Sequence, residues 1–167
     1  VDLIIANPDF LIKNKRRIRA VFITHAHEDH IGAIGYLYNI FNCKIYCREF
    51  TFNIAHNKLL PFGYDEKKLM SVGCHPNKIK AGPFQVSFMS ISHSIPEASA
   101  LLIETPLGRI FHTGDFKIDY SPVLGDPFDD KKLSKLGKDG ILALICDSTN
   151  VFSPKPGRSE SSIQKNL

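Results

Sequence analysis

Six consecutive residues, His25-Ala26-His27-Glu28-Asp29-His30, restrict the fold of this 167-residue chain more than any other feature. The run before them, Ile18 to Thr24 (IRAVFIT), is β-branched and aromatic and stops abruptly at polar residues. That pattern predicts a buried strand whose end delivers the six residues into a loop. In extended backbone, residues two apart share a face, so His25 and His27 can hold one ion, while Asp29 and His30 turn with the chain and can face a neighbouring one. Three imidazoles and a carboxylate gathered at one strand end suit divalent metals, zinc best, with manganese and magnesium as alternatives. Asp29 and His30 are expected to cap the stretch that follows. There Ile31, Ile34, Leu37 and Tyr38 recur at helical spacing, and Gly32 and Gly35 allow close approach.

A second strand-helix unit is predicted next. CKIYC (43–47) alternates like a short strand, and Phe50 to Leu60 has apolar residues at helical intervals until Pro61 and Gly63 end it. From Leu69 onward the texture changes to short runs separated by Gly and Pro. Gln85 to Ile91, Leu101 to Thr105, Arg109 to Thr113 and Ile141 to Cys146 read as strands of a mostly antiparallel sheet. Thr105-Pro106-Leu107-Gly108 reads as a hairpin turn. Val151 to Leu167 loses the periodicity and gathers Pro, Gly and Ser, the composition of a linker, so the expected layout is one domain over 1–150 and a linker over 151–167.

A 43% hydrophobic composition is that of a folded globular protein. No apolar run approaches the ~20 residues needed to span a bilayer, and the start lacks a signal-peptide pattern, so a cytoplasmic location without membrane contact is expected. Cys43, Cys47, Cys74 and Cys146 form no C-x-x-C pair and are expected to be reduced, packed thiols. The formal charge of +4 admits an anionic partner. Its densest part, Lys13-Asn14-Lys15-Arg16-Arg17 with Arg19, reads more simply as a solvated face.

Two further ligand candidates sit at strand ends. His93 follows QVSFMSI, and Asp115 follows RIFHT beside Gly114. A carboxylate can bridge two ions through its two oxygens, and Asp115 is placed for that role. His112, just inside its strand, reads as a supporting or structural histidine. His56 and His75 have no partner nearby in sequence and are left out.

HAHEDH matches the H-x-H-x-D-H signature of the metallo-β-lactamase fold superfamily. FITHAHEDHIGAIGYL, SHSIPEA, FHTGDFKID and CDSTN, followed by Pro-Gly-Arg-Ser-Glu, together resemble the bacterial ribonuclease J family in that superfamily's β-CASP branch. The resemblance covers nearly the whole chain. It implies an α+β fold, a four-layer αββα sandwich with two divalent ions at one edge. His25, His27 and His93 would form one metal site, Asp29 and His30 a second, and Asp115 would bridge them. Asp29 and Asp115 would be catalytic, as a metal-bound hydroxide hydrolyses RNA phosphodiester bonds by 5′ exonuclease or endonuclease action. Ser148, Thr149 and Asn150 match a segment beside the phosphate-binding site, although they are also good turn formers. A homo-oligomer, dimer or tetramer, is implied for the full-length protein.

Set against that pattern, the chain begins after the first strands of the sandwich. It also stops before the inserted β-CASP domain and the late histidine of the second metal site, so a fragment with an incomplete amino-terminal edge and a weaker second metal site is expected. Two other readings stay open: a hydrolase of the same fold acting on a thioester, lactone or β-lactam, and a metal-binding module without catalysis.

Overall fold

The computed structural model describes residues 4–155 and 157–164. They divide into two compact units, 1–72 and 73–167. Both units combine helices with a sheet, the α+β class that the sequence predicts.

The first unit runs α1 (Asp9–Lys13), β1 (Ala20–Phe22), α2 (Glu28–Ile31), α3 (Ile34–Phe41), β2 (Lys44–Cys47), α4 (Glu49–Leu59) and β3 (Leu69–Ser71). Its sheet is parallel, in the order β1-β2-β3, with Val21 opposite Ile45 and Ile45 opposite Leu69. Parallel strands need crossovers, and the helical stretches α2–α3 and α4 supply them. Ile45, Cys47, Ala55 and Leu59 are fully buried, which accounts for the apolar alternation of CKIYC and the spacing inside α4. The close approach expected at Gly35 is present: a Cβ there would lie 2.3–2.9 Å from ring atoms of Phe62. Helix α4 passes into a 3-10 turn, Leu60–Phe62, and Gly63 stops it at φ 63°.

One expectation fails here. Asp29 and His30 do not cap a helix; they lie inside α2, whose N-cap is His27 in extended conformation. The polypeptide turns into helix two residues earlier than the apolar spacing suggests, because the His27 carbonyl already accepts from the His30 and Ile31 N–H groups.

The second unit runs β4 (Ile79–Ala81), β5 (Phe84–Ser90), β6 (Ser99–Thr105), β7 (Gly108–His112), α5 (Asp130–Lys138), β8 (Ala143–Ile145) and α6 (Glu160–Gln164). Its five strands lie in the order β4-β5-β6-β7-β8, antiparallel except for the last pair. The 105–108 hairpin forms as predicted. The Thr105 hydroxyl donates to the Gly108 carbonyl at 2.8 Å and accepts the Leu107 N–H at 3.1 Å, while Gly108 takes φ 143°. Met89, Ile91, Ala100, Leu102 and Phe111 form a core face that Leu136 of α5 covers. Asp129 caps α5 by accepting from Lys132 N–H at 2.9 Å, and the Arg109 guanidinium binds the carbonyls of Asp139 and Gly140 at its other end.

Cys43, Cys47, Cys74 and Cys146 are reduced thiols, as expected, but not all are packed. Cys47 is buried, and burial pushes the Cys43 thiol up, with Lys68 only partly offsetting it. Cys146 is exposed, because β8 is the edge of its sheet and Leu144 and Ile145 beside it are exposed too. The basic run reads as a solvated face: Lys13, Lys15, Arg16, Arg17 and Arg19 are all exposed. Within 151–167 the structure differs from a bare linker, because 160–164 is helical and Ser159 is held to Asp119. Residues 156 and 165–167 of that expected linker lie outside the described residues. Among the described residues no helix is long and apolar enough to cross a membrane.

Candidate metal centre

Strand β1 delivers His25 as a fully buried side chain. Pairing continues beyond the strand through the Ile23 N–H, which donates to the Tyr46 carbonyl at 2.9 Å, so the backbone is still fixed where the histidines begin. The His25 ring stands edge-on to His27 at 4.8 Å between centroids and tilted against His30 at 4.1 Å. His30 Nε2 lies 3.5 Å from Asp29 Oδ2, and Asp29 is exposed. Thr24 Oγ1 is 3.1 Å from His25 Nδ1. That contact engages Nδ1 in orienting the ring. Three imidazoles and a carboxylate drawn together at one strand end are a donor set that fits a divalent ion of borderline softness.

In the second unit, His93 and Asp115 come together. Each follows a strand, and His93 Nε2 lies 3.9 Å from Asp115 Oδ2, both residues half-buried. The backbone around Asp115 is tightly bonded. Gly114, at φ 59°, donates its N–H to His112 Nδ1 at 2.9 Å, and the Thr113 hydroxyl donates to the Gly114 carbonyl at 2.6 Å. His112 Nδ1 thus accepts a backbone bond, which in the neutral ring leaves the proton to Nε2. His56, set aside on sequence, has a partner eight residues away: its Nδ1 lies 2.5 Å from the Tyr64 hydroxyl.

Ser148, Thr149 and Asn150 form a turn. Asp147 Oδ1 accepts from the Thr149 N–H at 2.8 Å and its hydroxyl at 2.7 Å. These two bonds from Thr149, helped by the Phe116 N–H and by His93, hold the Asp147 carboxyl below the usual carboxylate range despite burial.

Sequence reading missed Asp119. Its carboxylate, 2% exposed, accepts from the Ser159 hydroxyl at 2.7 Å, the Glu160 N–H at 2.9 Å and the Ser121 N–H at 3.0 Å, with Lys117 Nζ at 3.4 Å. Burial alone would push this carboxyl up, but Ser159, Glu160, Ser121 and Lys117 outweigh burial and hold it at about 2, below the ordinary 3.8. Because the folded value is the lower one, its stabilising contribution is complete above the ordinary value and lost as the pH falls through the folded one. The stability difference between the wild type and Asp119→Asn is therefore expected to stay constant from pH 7 to 5 and to close only in stronger acid. Denaturant titrations at stepped pH measure it, and a gap that narrows between pH 7 and 5 contradicts the assignment.

A groove of about 440 Å³ in the second unit is lined mainly by apolar side chains, among them Ile91, Phe111, Phe116 and Leu136. Cys146 is its one potential metal donor, so the groove is not the place for metal chemistry.

Residues 6–145 match the family model described as the metallo-beta-lactamase superfamily. The chain is 38% identical over 167 residues to a Ribonuclease J of Sinorhizobium meliloti, a match that covers 100% of this chain and 30% of that protein. It is 37% identical over 174 residues to a Ribonuclease J of Thermus thermophilus, covering 100% and 30%. Against Ribonuclease J2 of Bacillus subtilis it is 33% identical over 163 residues, covering 98% and 29%. The chain thus spans less than a third of the length of these curated relatives. A crystal structure of a protein of unknown function from Enterococcus faecalis V583 matches with a TM-score of 0.57 at 23% identity, covering 85% of this chain and 34% of that one. At that identity the likeness concerns the fold.

Proposed function

The chain belongs to the metallo-β-lactamase superfamily and has its α+β fold, and we propose that it carries the metal-binding residues of a ribonuclease J-like enzyme that hydrolyses phosphodiester bonds in RNA. The observation that carries this reading is the packing of the His25, His27 and His30 rings at the end of β1, with Asp29 beside them. The relatives named ribonuclease J, matched across the whole chain, support the substrate class.

In this reading His25, His27 and His93 hold one divalent ion, Asp29 and His30 hold a second, and Asp115 serves both. Zinc suits the imidazole-rich set best, with manganese or magnesium as alternatives. Ions bound there would supply Lewis acidity, making water more acidic and offsetting charge on phosphoryl oxygens. The Thr24 contact keeps the His25 ring in one orientation, so a ligand position is set before any ion arrives. Asp29, exposed and next to His30, can take or direct a proton of the attacking water. Ser148 and Asn150 offer donors to a phosphate from a turn that Asp147 and Thr149 hold in shape. The positive formal charge favours approach of a polyanion. A cytoplasmic location, 5′ exonuclease or endonuclease action and homo-oligomeric assembly of the whole protein belong to the same reading.

The test is incubation of the chain with 5′-monophosphorylated RNA, with and without zinc or manganese, beside an Asp29→Ala, His30→Ala variant. The expected result is metal-dependent cleavage that the variant lacks. Hydrolysis of a thioester or lactone without RNA cleavage would point instead to a small-substrate hydrolase. Metal uptake without either activity would point to a non-catalytic metal module.

A further inference from the structure

We propose that Asp119 is a positioning residue for Asp115, a buried clasp that couples the segment beginning at Ser159 to the loop that presents this carboxylate. The inference rests on the reading of His93 and Asp115 as metal ligands.

The loop leaves β7 at Thr113 and is fastened along its length. At its start the Thr113 hydroxyl bonds the Gly114 carbonyl and also accepts the Asp147 N–H at 3.0 Å. In the middle, the Lys117 N–H donates to the carbonyl of Ser92 at 2.8 Å, and Ser92 is the residue before His93. At its end stands Asp119, whose carbonyl accepts the Phe128 N–H at 2.8 Å and whose carboxylate collects donors from Ser121, Ser159 and Glu160. Two of those donors come from 40 and 41 residues further along the chain.

Stability alone does not call for this arrangement. Taking a carboxylate out of water carries a desolvation cost, and apolar side chains of similar volume often stabilise as well or better. An apolar contact cannot fix direction, whereas three directed hydrogen bonds onto one carboxylate can. The Lys117–Ser92 bond and the Asp119 clasp lie on the same short loop as Asp115, and the first of them also grips the backbone beside His93. Rotation of the loop would break these bonds and alter the 3.9 Å spacing between His93 Nε2 and Asp115 Oδ2. Docking of the segment at Ser159 is therefore linked to the geometry of the ligand pair.

Two variants of the chain test this. Ser159→Ala removes one donor and leaves the other contacts to Asp119 in place, so it is the mild variant; Asp119→Asn removes the charge at the centre. Amide hydrogen exchange by mass spectrometry and titration with Mn²⁺ alone are the two readouts. Ser159→Ala is expected to speed exchange in 157–164 and also in 114–121. Loss of an outer partner typically lowers metal affinity about 10–100-fold, which is the range expected for Asp119→Asn, with Ser159→Ala showing a smaller drop in the same direction. Faster exchange confined to 157–164, with Mn²⁺ affinity unchanged in both variants, would overturn the proposal by reducing the clasp to a local anchor. A wild-type chain that takes up no Mn²⁺ would overturn the underlying metal reading instead, and it would show this before any variant is compared.

Discussion

Replacing His25 and His27 together by alanine is expected to lower zinc affinity by at least about 100-fold, or roughly 2.7 kcal/mol, more than the loss of an outer partner alone commonly costs. The two rings are in edge contact at the end of β1, and their side-by-side presentation follows from the extended backbone on which they sit. Losing both removes two of the three imidazoles assigned to the first ion. His25 is fully buried, so the metal-free stability of the variant has to be measured beside its zinc titration. Unchanged zinc affinity in a folded variant would remove these residues from the metal centre.

Phe88→Ala is expected to destabilise the chain by about 3–5 kcal/mol, the usual cost of emptying a buried aromatic site. Phe88 is 0% exposed, sits in the middle of β5 and pairs with Leu101 across the sheet. Set against a total stability of about 5–15 kcal/mol for an ordinary domain, this is a large share. Phe88→Leu, which keeps most of the volume, is expected to cost about 1.5 kcal/mol or less. Chemical denaturation of the three proteins measures both differences. A loss below about 1 kcal/mol for the alanine variant would mean that the site collapses or was never tightly packed.

Some features were open to sequence reasoning because a short local pattern encodes them. CKIYC shows its burial in its own alternation, whereas IRAVFIT, read as a buried strand, forms one only over Ala20–Phe22 and leaves those three residues half-buried; Gly63 and Gly108 mark turns that need positive φ. The juxtaposition of His25 and His27 just after β1 was legible for a related reason, since spacing of two in extended backbone fixes which side chains share a face. Other features depend on partners far away in the chain. Strand β3 has three residues and owes its place in the parallel sheet to Ile45, more than twenty positions earlier, so nothing local marks it. Helix α5 is rich in Lys and buries Leu136 alone, too faint a stripe to announce a helix that covers the core. Asp119 carries no local signal because two of its donors, Ser159 and Glu160, lie in a segment whose composition reads as linker. The exposed Cys146 follows the same logic: ILALIC has the composition of a buried strand, but β8 lies at the sheet's edge, which composition does not report.

The central claim is that His25, His27, Asp29, His30, His93 and Asp115 hold two divalent ions in unlike sites, three imidazoles in one and a single imidazole with carboxylates in the other. Titration of the metal-free chain with zinc, followed by metal analysis after dialysis, tests this most directly. Two equivalents of unequal affinity are predicted, with the tighter one lost in His25→Ala, His27→Ala and the weaker one lost in Asp29→Ala, His30→Ala. Two equally tight equivalents, or zinc uptake that neither double variant changes, would contradict it.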